Sequence, residues 1–195
     1  MTRRLIVAIT GATGAIFGVR TLERLREFDV ETHLIVTAWG AKTIEHETGR
    51  SVRDVRALAD VVHRPGDQGA TISSGSFETL GMVVAPCTVK TLANIASGIA
   101  DDLVARAADV VIKEQRKLVL MVREAPLSPI HLENMLKLSR IGVSILPPVP
   151  GFYTQPSGID EMVDHIVTRT LDQFGLHSDA TPRWDGNLHH SRDAE

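Results

Sequence analysis

Leu5 to Gly18, LIVAITGATGAIFG, constrains this chain more than any other stretch. Five consecutive apolar residues, Leu5 to Ile9, suit a strand buried on both faces, as in a parallel sheet covered by helices. The run stops at Thr10 and Gly11. From Ala15 the apolar positions Ile16, Val19, Leu22 and Leu25 recur at three-residue steps, with Arg20, Glu23, Arg24 and Glu27 between them, which is the period of an amphipathic helix. Strand, glycine-rich turn, helix is the opening of an α/β fold. Such a turn presents backbone N–H groups and the positive end of a helix to one point, which favours a phosphate. The same residues also suit a tight turn that only packs a helix on a sheet.

Gly11, Gly14 and Gly18 do not have the spacing of the dinucleotide fingerprint. The next apolar run, Glu31 to Val36, ends in Thr37-Ala38-Trp39, where a dinucleotide site expects a carboxylate for the ribose diol. Thr37 offers a hydroxyl instead. A mononucleotide such as FMN fits better, its phosphate and ribityl hydroxyls held by hydroxyl side chains and backbone amides.

With 195 residues and 43% hydrophobic content, residues 1–195 suit a single domain, with a polar tail from about residue 176. A formal charge of −3 and no basic run point away from nucleic acid and from an anionic membrane surface. Cys87 is the only cysteine, so no intrachain disulfide forms, and MTRRLIVAITG lacks the long apolar segment of a signal peptide or membrane span. A cytoplasmic enzyme is expected.

Further along, Trp39 to Thr48 reads as a helix, with Glu47 near its end, where a carboxylate gains nothing from the helix dipole and is expected to be solvated. Ser51 and Asp54 start a short helix through Leu58. Arg64 to Gly69 reads as a loop, and Thr71 to Phe77 as a hydroxyl-rich surface turn. Gly81 to Ala85 is a short buried strand, and Thr88 is placed to cap the helix that follows. The neighbouring amides and the Thr91 hydroxyl reach a phosphate there, so two helix N-termini are expected to converge on one anion. Cys87 reads as a packed small hydrophobe.

A helix is expected over Asp101 to Val110, then a basic stretch from Lys113 to Lys117, then a strand over Leu118 to Val122 that ends at Arg123-Glu124. That charge pair stands where open α/β sheets bind ligands, although a plain salt bridge gives the same pattern. Ser128-Pro129 starts a helix to Ile141, and Val143 to Leu146 is a further strand. Pro147 to Tyr153 is a stiffened loop, and Met162, Val163, Ile166, Val167, Leu171 and Phe174 mark a last amphipathic helix with Arg169 off its apolar side. His189 and His190 have no other ligand at metal spacing and read as solvated, so no metal site is expected.

Together these residues resemble the UbiX family of flavin prenyltransferases, including the small proteins of that type from bacterial hydroxyarylic acid decarboxylase operons. The resemblance rests on GATGA at Gly11 to Ala15, SGSF at Ser74 to Phe77, APCTVKTLA at Ala85 to Ala93, RAADVVIKE at Arg106 to Glu114, REAPL at Arg123 to Leu127 and PPVPGFY at Pro147 to Tyr153. It runs from about Arg4 to Trp184. It implies a three-layer α/β sandwich with a mostly parallel sheet, flavodoxin-like or Rossmann-like, assembled as a homododecamer with FMN and substrate between subunits.

Carried over by motif, the FMN site uses Gly11, Ala12, Thr13, Thr37, Thr88, Val89, Lys90, Thr91 and Arg123. The dimethylallyl phosphate site uses Lys113, Arg123, Tyr153 and Arg169 around the phosphate, with Glu124 and Glu47 as catalytic carboxylates near the reacting atoms. Three cations and a phenol suit a phosphate dianion. Thr13 and Thr88 stand where serine is commoner, which keeps the hydroxyl and adds a methyl. The implied reaction joins a dimethylallyl group to N5 and C6 of reduced FMN without a metal and releases phosphate, for use by a UbiD-type decarboxylase. Consistent with that, Asp101-Asp102 is followed by Leu103, Val104 and Ala105 and lacks the third carboxylate of magnesium-dependent prenyltransferases. Two other readings use the same FMN site. A flavin-dependent cysteine decarboxylase needs a catalytic histidine and an asparagine-methionine motif that are not at the matching places. A non-catalytic FMN carrier has no use for Lys113, Tyr153 and Arg169.

Overall fold

Strands and helices alternate along the chain in the computed structural model, which describes residues 2–179, 181–184 and 186. The strands are β1 (Arg4–Ile9), β2 (Glu31–Val36), β3 (Val61–His63), β4 (Gly81–Cys87), β5 (Lys117–Val122) and β6 (Ser144–Ile145). The helices are α1 (Ala15–Leu25), α2 (Ala38–Thr48), α3 (Val52–Arg56), α4 (Val89–Ser97), α5 (Leu103–Lys113), α6 (Pro129–Arg140) and α7 (Ile159–Asp172). All six strands pair in parallel in the order β3-β2-β1-β4-β5-β6.

Chirality explains the layers. Parallel crossovers are almost always right-handed, so steps taken in opposite directions along a sheet put their helices on opposite faces. From β1 the chain steps outward to β2 and β3, and α1, α2 and α3 pack with Leu5, Val7 and Ile9. From β4 it steps the other way to β5 and β6, and α4, α5 and α6 pack with Ile6 and Ala8. Helix α7 returns to the first face, where Val163, Ile166, Val167 and Leu171 join the α1 side of the core. The result is the three-layer, flavodoxin-like α/β sandwich, with its sheet wholly parallel. Among the described residues no helix is long and apolar enough to cross a membrane.

Several elements differ from the sequence reading. Val61–His63 forms an edge strand, too short for alternation to announce it. His63 therefore lies in the sheet rather than in a loop, with its Nε2 2.9 Å from Nδ1 of the buried His33. Helix α5 starts at Leu103 because Asp102 caps it, accepting the Ala105 N–H at 2.8 Å, and it runs on to Lys113 because Val111 continues the buried stripe. The Thr71–Phe77 segment is more than a surface turn: it holds a 3₁₀ turn over Thr71–Ser73 and buries Ile72. The segment after α7 buries Leu176 and Thr181. His189 and His190 lie outside the described residues.

Gly18 lets α1 lie directly on the sheet, since a Cβ there would collide with the Ala85 carbonyl oxygen and the Ile9 side chain. The oxygen belongs to a central strand and has nowhere to move. Gly18→Ala is therefore expected to lower stability by about 1–3 kcal/mol, the usual cost of overpacking. Urea unfolding measures this, and an unchanged midpoint would mean that α1 sits further from β4 than the structure has it.

Candidate functional site

In an open parallel sheet the ligand crevice lies beyond the carboxyl ends of the strands, at the pair whose crossovers leave in opposite directions. Here that pair is β1 and β4. Thr10, the residue after β1, ties the two ends together. Its N–H and its hydroxyl both donate to the Pro86 carbonyl, at 3.3 and 2.7 Å, and its Oγ1 accepts the Thr88 N–H at 3.0 Å. Thr10 is buried, so these bonds form out of water.

A cavity of about 440 Å³ opens at this junction, walled by Thr10, Gly11, Thr37, Thr88, Lys90 and Thr91. Its hydroxyls are placed by helix caps. Thr37 caps α2 by accepting the Gly40 N–H at 3.1 Å, and Thr88 caps α4 by accepting the Thr91 N–H at 3.1 Å. The Thr88 and Thr91 hydroxyls are 2.9 Å apart. The Arg123 N–H donates to the Cys87 carbonyl at 3.1 Å, which brings the end of β5 beside the α4 cap. Burial pushes the Cys87 thiol up to about 12, so it is a packed, protonated side chain.

The two helix ends do not converge on one anion. Oε2 of Glu47 accepts the Gly14 and Ala15 N–H groups at 2.8 and 2.9 Å, so the positive end of α1 is already held by a carboxylate. Glu47 ends α2, where its own helix offers nothing, and it is drawn to the start of the neighbouring helix instead. In α4, by contrast, the Thr88 cap takes the Thr91 N–H, the Val89 and Lys90 N–H groups have no helical partner by position, and Lys90 and Thr91 line the cavity. A size in the usual ligand range, a hydroxyl wall and one open helix start suit a phosphate-bearing mononucleotide.

The remaining residues singled out in the sequence are dispersed in a single chain. Glu124 follows Arg123 at the end of β5, and its Oε1 accepts the Ala125 N–H at 3.1 Å. Tyr153 and Arg169 come together on a different cavity of about 300 Å³ beside α7. The Tyr153 hydroxyl is 3.0 Å from His165 Nε2, and Arg169 donates to Asp172 at 3.0 Å. Burial, with Arg169 nearby, holds His165 below its ordinary value, so its ring is neutral near pH 7. Lys113 is at the opposite edge of the sheet. It ends α5 just before β5 begins, pairs with Glu114 and lies against Gly75. Arg116 fixes that loop through the Gly75 and Phe77 carbonyls, at 2.7 Å each. The six residues of β5 separate Lys113 from Arg123 by roughly 20 Å, at about 3.3 Å per residue.

Sequence reasoning passed over Thr10, whose only visible signal was a hydroxyl ending an apolar run. It also passed over Arg106, which lies on the helix of Lys113 and donates to the Ser73 carbonyl at 3.2 Å. Among the described residues no three His, Cys, Asp or Glu side chains are grouped to hold a metal ion.

Residues 1–171 match the protein family described as Flavoprotein. A probable UbiX-like flavin prenyltransferase of Streptomyces sp. (strain D7) is 62% identical over 94% of this chain and 92% of its own length. The crystal structure of AnUbiX (PadA1) in complex with FMN and dimethylallyl pyrophosphate is 51% identical, with a TM-score of 0.94 over 95% of this chain and 99% of that one. A dodecameric FMN-dependent UbiX-like decarboxylase from Escherichia coli O157:H7 is 61% identical, with a TM-score of 0.92 over 94% of this chain and 100% of that one.

Beyond the cavity, Asp172 joins the last segment to α7. Its carboxylate takes two bonds from Arg183, at 3.0 and 2.8 Å, with His177 at 2.8 Å and Arg169 at 3.0 Å. Arg183 above all, then His177, holds the Asp172 carboxyl down at about 2. An unfolded aspartate ionises near 3.9, so the clasp contributes stability above about pH 4 and loses it as pH falls through 2. Asp172→Asn is therefore expected to melt below wild type at pH 7, and the gap should close between pH 4 and pH 2. A gap that is constant with pH would show that the charge on Asp172 is not what holds the segment.

Proposed function

The chain belongs to the flavoprotein family and, within it, to the UbiX-like flavin prenyltransferases, and from that premise we propose how its residues carry out the reaction. The enzyme is a flavin prenyltransferase, and the reaction proposed for it joins a dimethylallyl group to N5 and C6 of reduced FMN. Reduced FMN supplies the two nucleophilic ring atoms, and everything else falls to the protein.

The observation that carries this reading is the hydroxyl-walled cavity at the β1–β4 junction, with α4 as its open helix start. The FMN phosphate binds there, on the Val89 and Lys90 amides and the Thr91 hydroxyl, with Thr37 and Thr88 on the same wall. The α1 start is a poor alternative, because a dianion would meet the Glu47 carboxylate. Gly11 lines the cavity from the β1 turn, and in this reading its neighbours Ala12 and Thr13, with Arg123 at the end of β5, complete the FMN site. Glu47 acts by fixing that turn, which keeps it close to the reacting atoms.

The alkyl phosphate is held by Lys113, Arg123, Tyr153 and Arg169, cations and a phenol that offset the charge left on the departing phosphate. Glu124, directly after Arg123, hands the proton to the leaving group and takes one from the flavin. Because Lys113 stands at the far edge of its own sheet, the lysine in any one site comes from another subunit. Self-association has further support in α6 and its end, where Ile130, Leu132, Leu136 and Ile141 are all at least half exposed. A homododecamer like that of the Escherichia coli relative is the assembly we propose. The AnUbiX complex holds the diphosphate donor. For this chain we propose the monophosphate, whose dianion matches the cation set. The product serves a UbiD-type decarboxylase.

Anaerobic incubation with reduced FMN and dimethylallyl phosphate should add one five-carbon unit to the flavin by mass spectrometry, faster than with the diphosphate. Glu124→Gln should still bind FMN but turn over about a hundredfold more slowly, the scale of losing a positioned acid or base. Near-normal turnover would reduce Glu124 to a structural group. The shared site has its own test. Lys113→Ala and Arg123→Ala should each be inactive alone and regain activity when co-expressed, since a mixed oligomer contains sites with both native residues. No recovery would mean that both residues act within one chain.

A further inference from the structure

Trp39 is an aromatic side chain on the wall of the β1–β4 cavity, and it is 68% exposed. Folding does not account for that exposure. Helix α2 meets the core through Ile44 and Ala41, and a large ring left in water gives up hydrophobic free energy. Yet the chain is built around the root of this side chain. The Trp39 Cβ occupies the space that a side chain on Gly11 would need, so the glycine turn and the indole are fitted to each other. One face of the indole is taken by Lys42, whose Nζ is 4.3 Å from the ring centroid. That cation–π contact limits how the ring can turn.

We propose that Trp39 is a positioning residue for the flavin: its uncovered face stacks on the isoalloxazine ring, and Lys42 holds the indole in that pose. The inference rests on FMN binding in this cavity. With the phosphate on the first turn of α4, the flat conjugated end of the mononucleotide needs a surface elsewhere in the cavity. The first turn of α2 presents Trp39 there, among side chains that are otherwise small or polar. Aromatic stacking suits a ring that must lie still while two of its atoms receive a substituent.

The test uses the full-length protein and FMN itself. Trp39→Leu should bind FMN about tenfold more weakly, the order expected for losing one stacked aromatic. The flavin that still binds should fluoresce more brightly, because the quenching indole is gone. Trp39→Phe should recover most of the affinity. Wild-type affinity and wild-type flavin emission in Trp39→Leu would overturn the proposal. So would a change confined to assembly in light scattering, which would make the ring a subunit contact. Thr88→Val separates this from the reading beneath it. If that variant binds FMN as wild type does, the phosphate is not at α4. If Thr88→Val weakens FMN while Trp39→Leu does not, the cavity reading stands and the stacking falls.

Discussion

The buried hydroxyl of Thr10 is the contact on which the site depends. It donates to the Pro86 carbonyl and accepts the Thr88 N–H, so it joins the end of β1 to the start of α4 across the two strands whose crossovers diverge. A parallel sheet must leave a crevice at that point, and the side chains there decide what it holds. A threonine gives one donor and one acceptor in a space that an apolar residue would leave unsatisfied. Without that bridge, the cap at Thr88 and the turn at Gly11 would not be held to one geometry.

Electrostatics then separates two helix starts that are otherwise alike. Both α1 and α4 begin at the carboxyl edge of the sheet, and each carries the partial positive charge of a helix N-terminus. Glu47 neutralises the first through two hydrogen bonds. The second is capped by a neutral threonine, which takes the Thr91 N–H and leaves the Val89 and Lys90 amides without a helical partner. A single carboxylate thus distinguishes the two ends, which is why the proposed phosphate site is at α4 and not at α1. The same economy of charge operates at Asp172, which gathers Arg169, His177 and Arg183 and so couples the last described segment to a cation of the proposed phosphate site.

Much of this was legible along the chain. The apolar run at Leu5 to Ile9 and the three-residue steps after Ala15 announce β1 and α1, and Thr88 and Ser128 announce their helices by cap chemistry. The short edge strand β3 was not legible, since three residues cannot display a period. Nor was the partner of Glu47, because its position at the end of α2 says nothing about the start of α1 across the fold. Lys113 is the sharpest case. The family resemblance puts it in the same site as Arg123, but the topology puts the two at opposite ends of β5, which is why the proposed site takes its lysine from a second copy. Trp39 was read as one residue of a helix, and its exposure became informative only beside a cavity.

The central claim is that FMN lies at the β1–β4 junction with its phosphate on the first turn of α4. A crystal structure of the FMN complex tests it most directly. The account predicts phosphate oxygens within hydrogen-bonding distance of the Val89 and Lys90 amides and the Thr91 hydroxyl, with Glu47 still bonded to Gly14 and Ala15. A phosphate found at the start of α1, with Glu47 displaced, would contradict it.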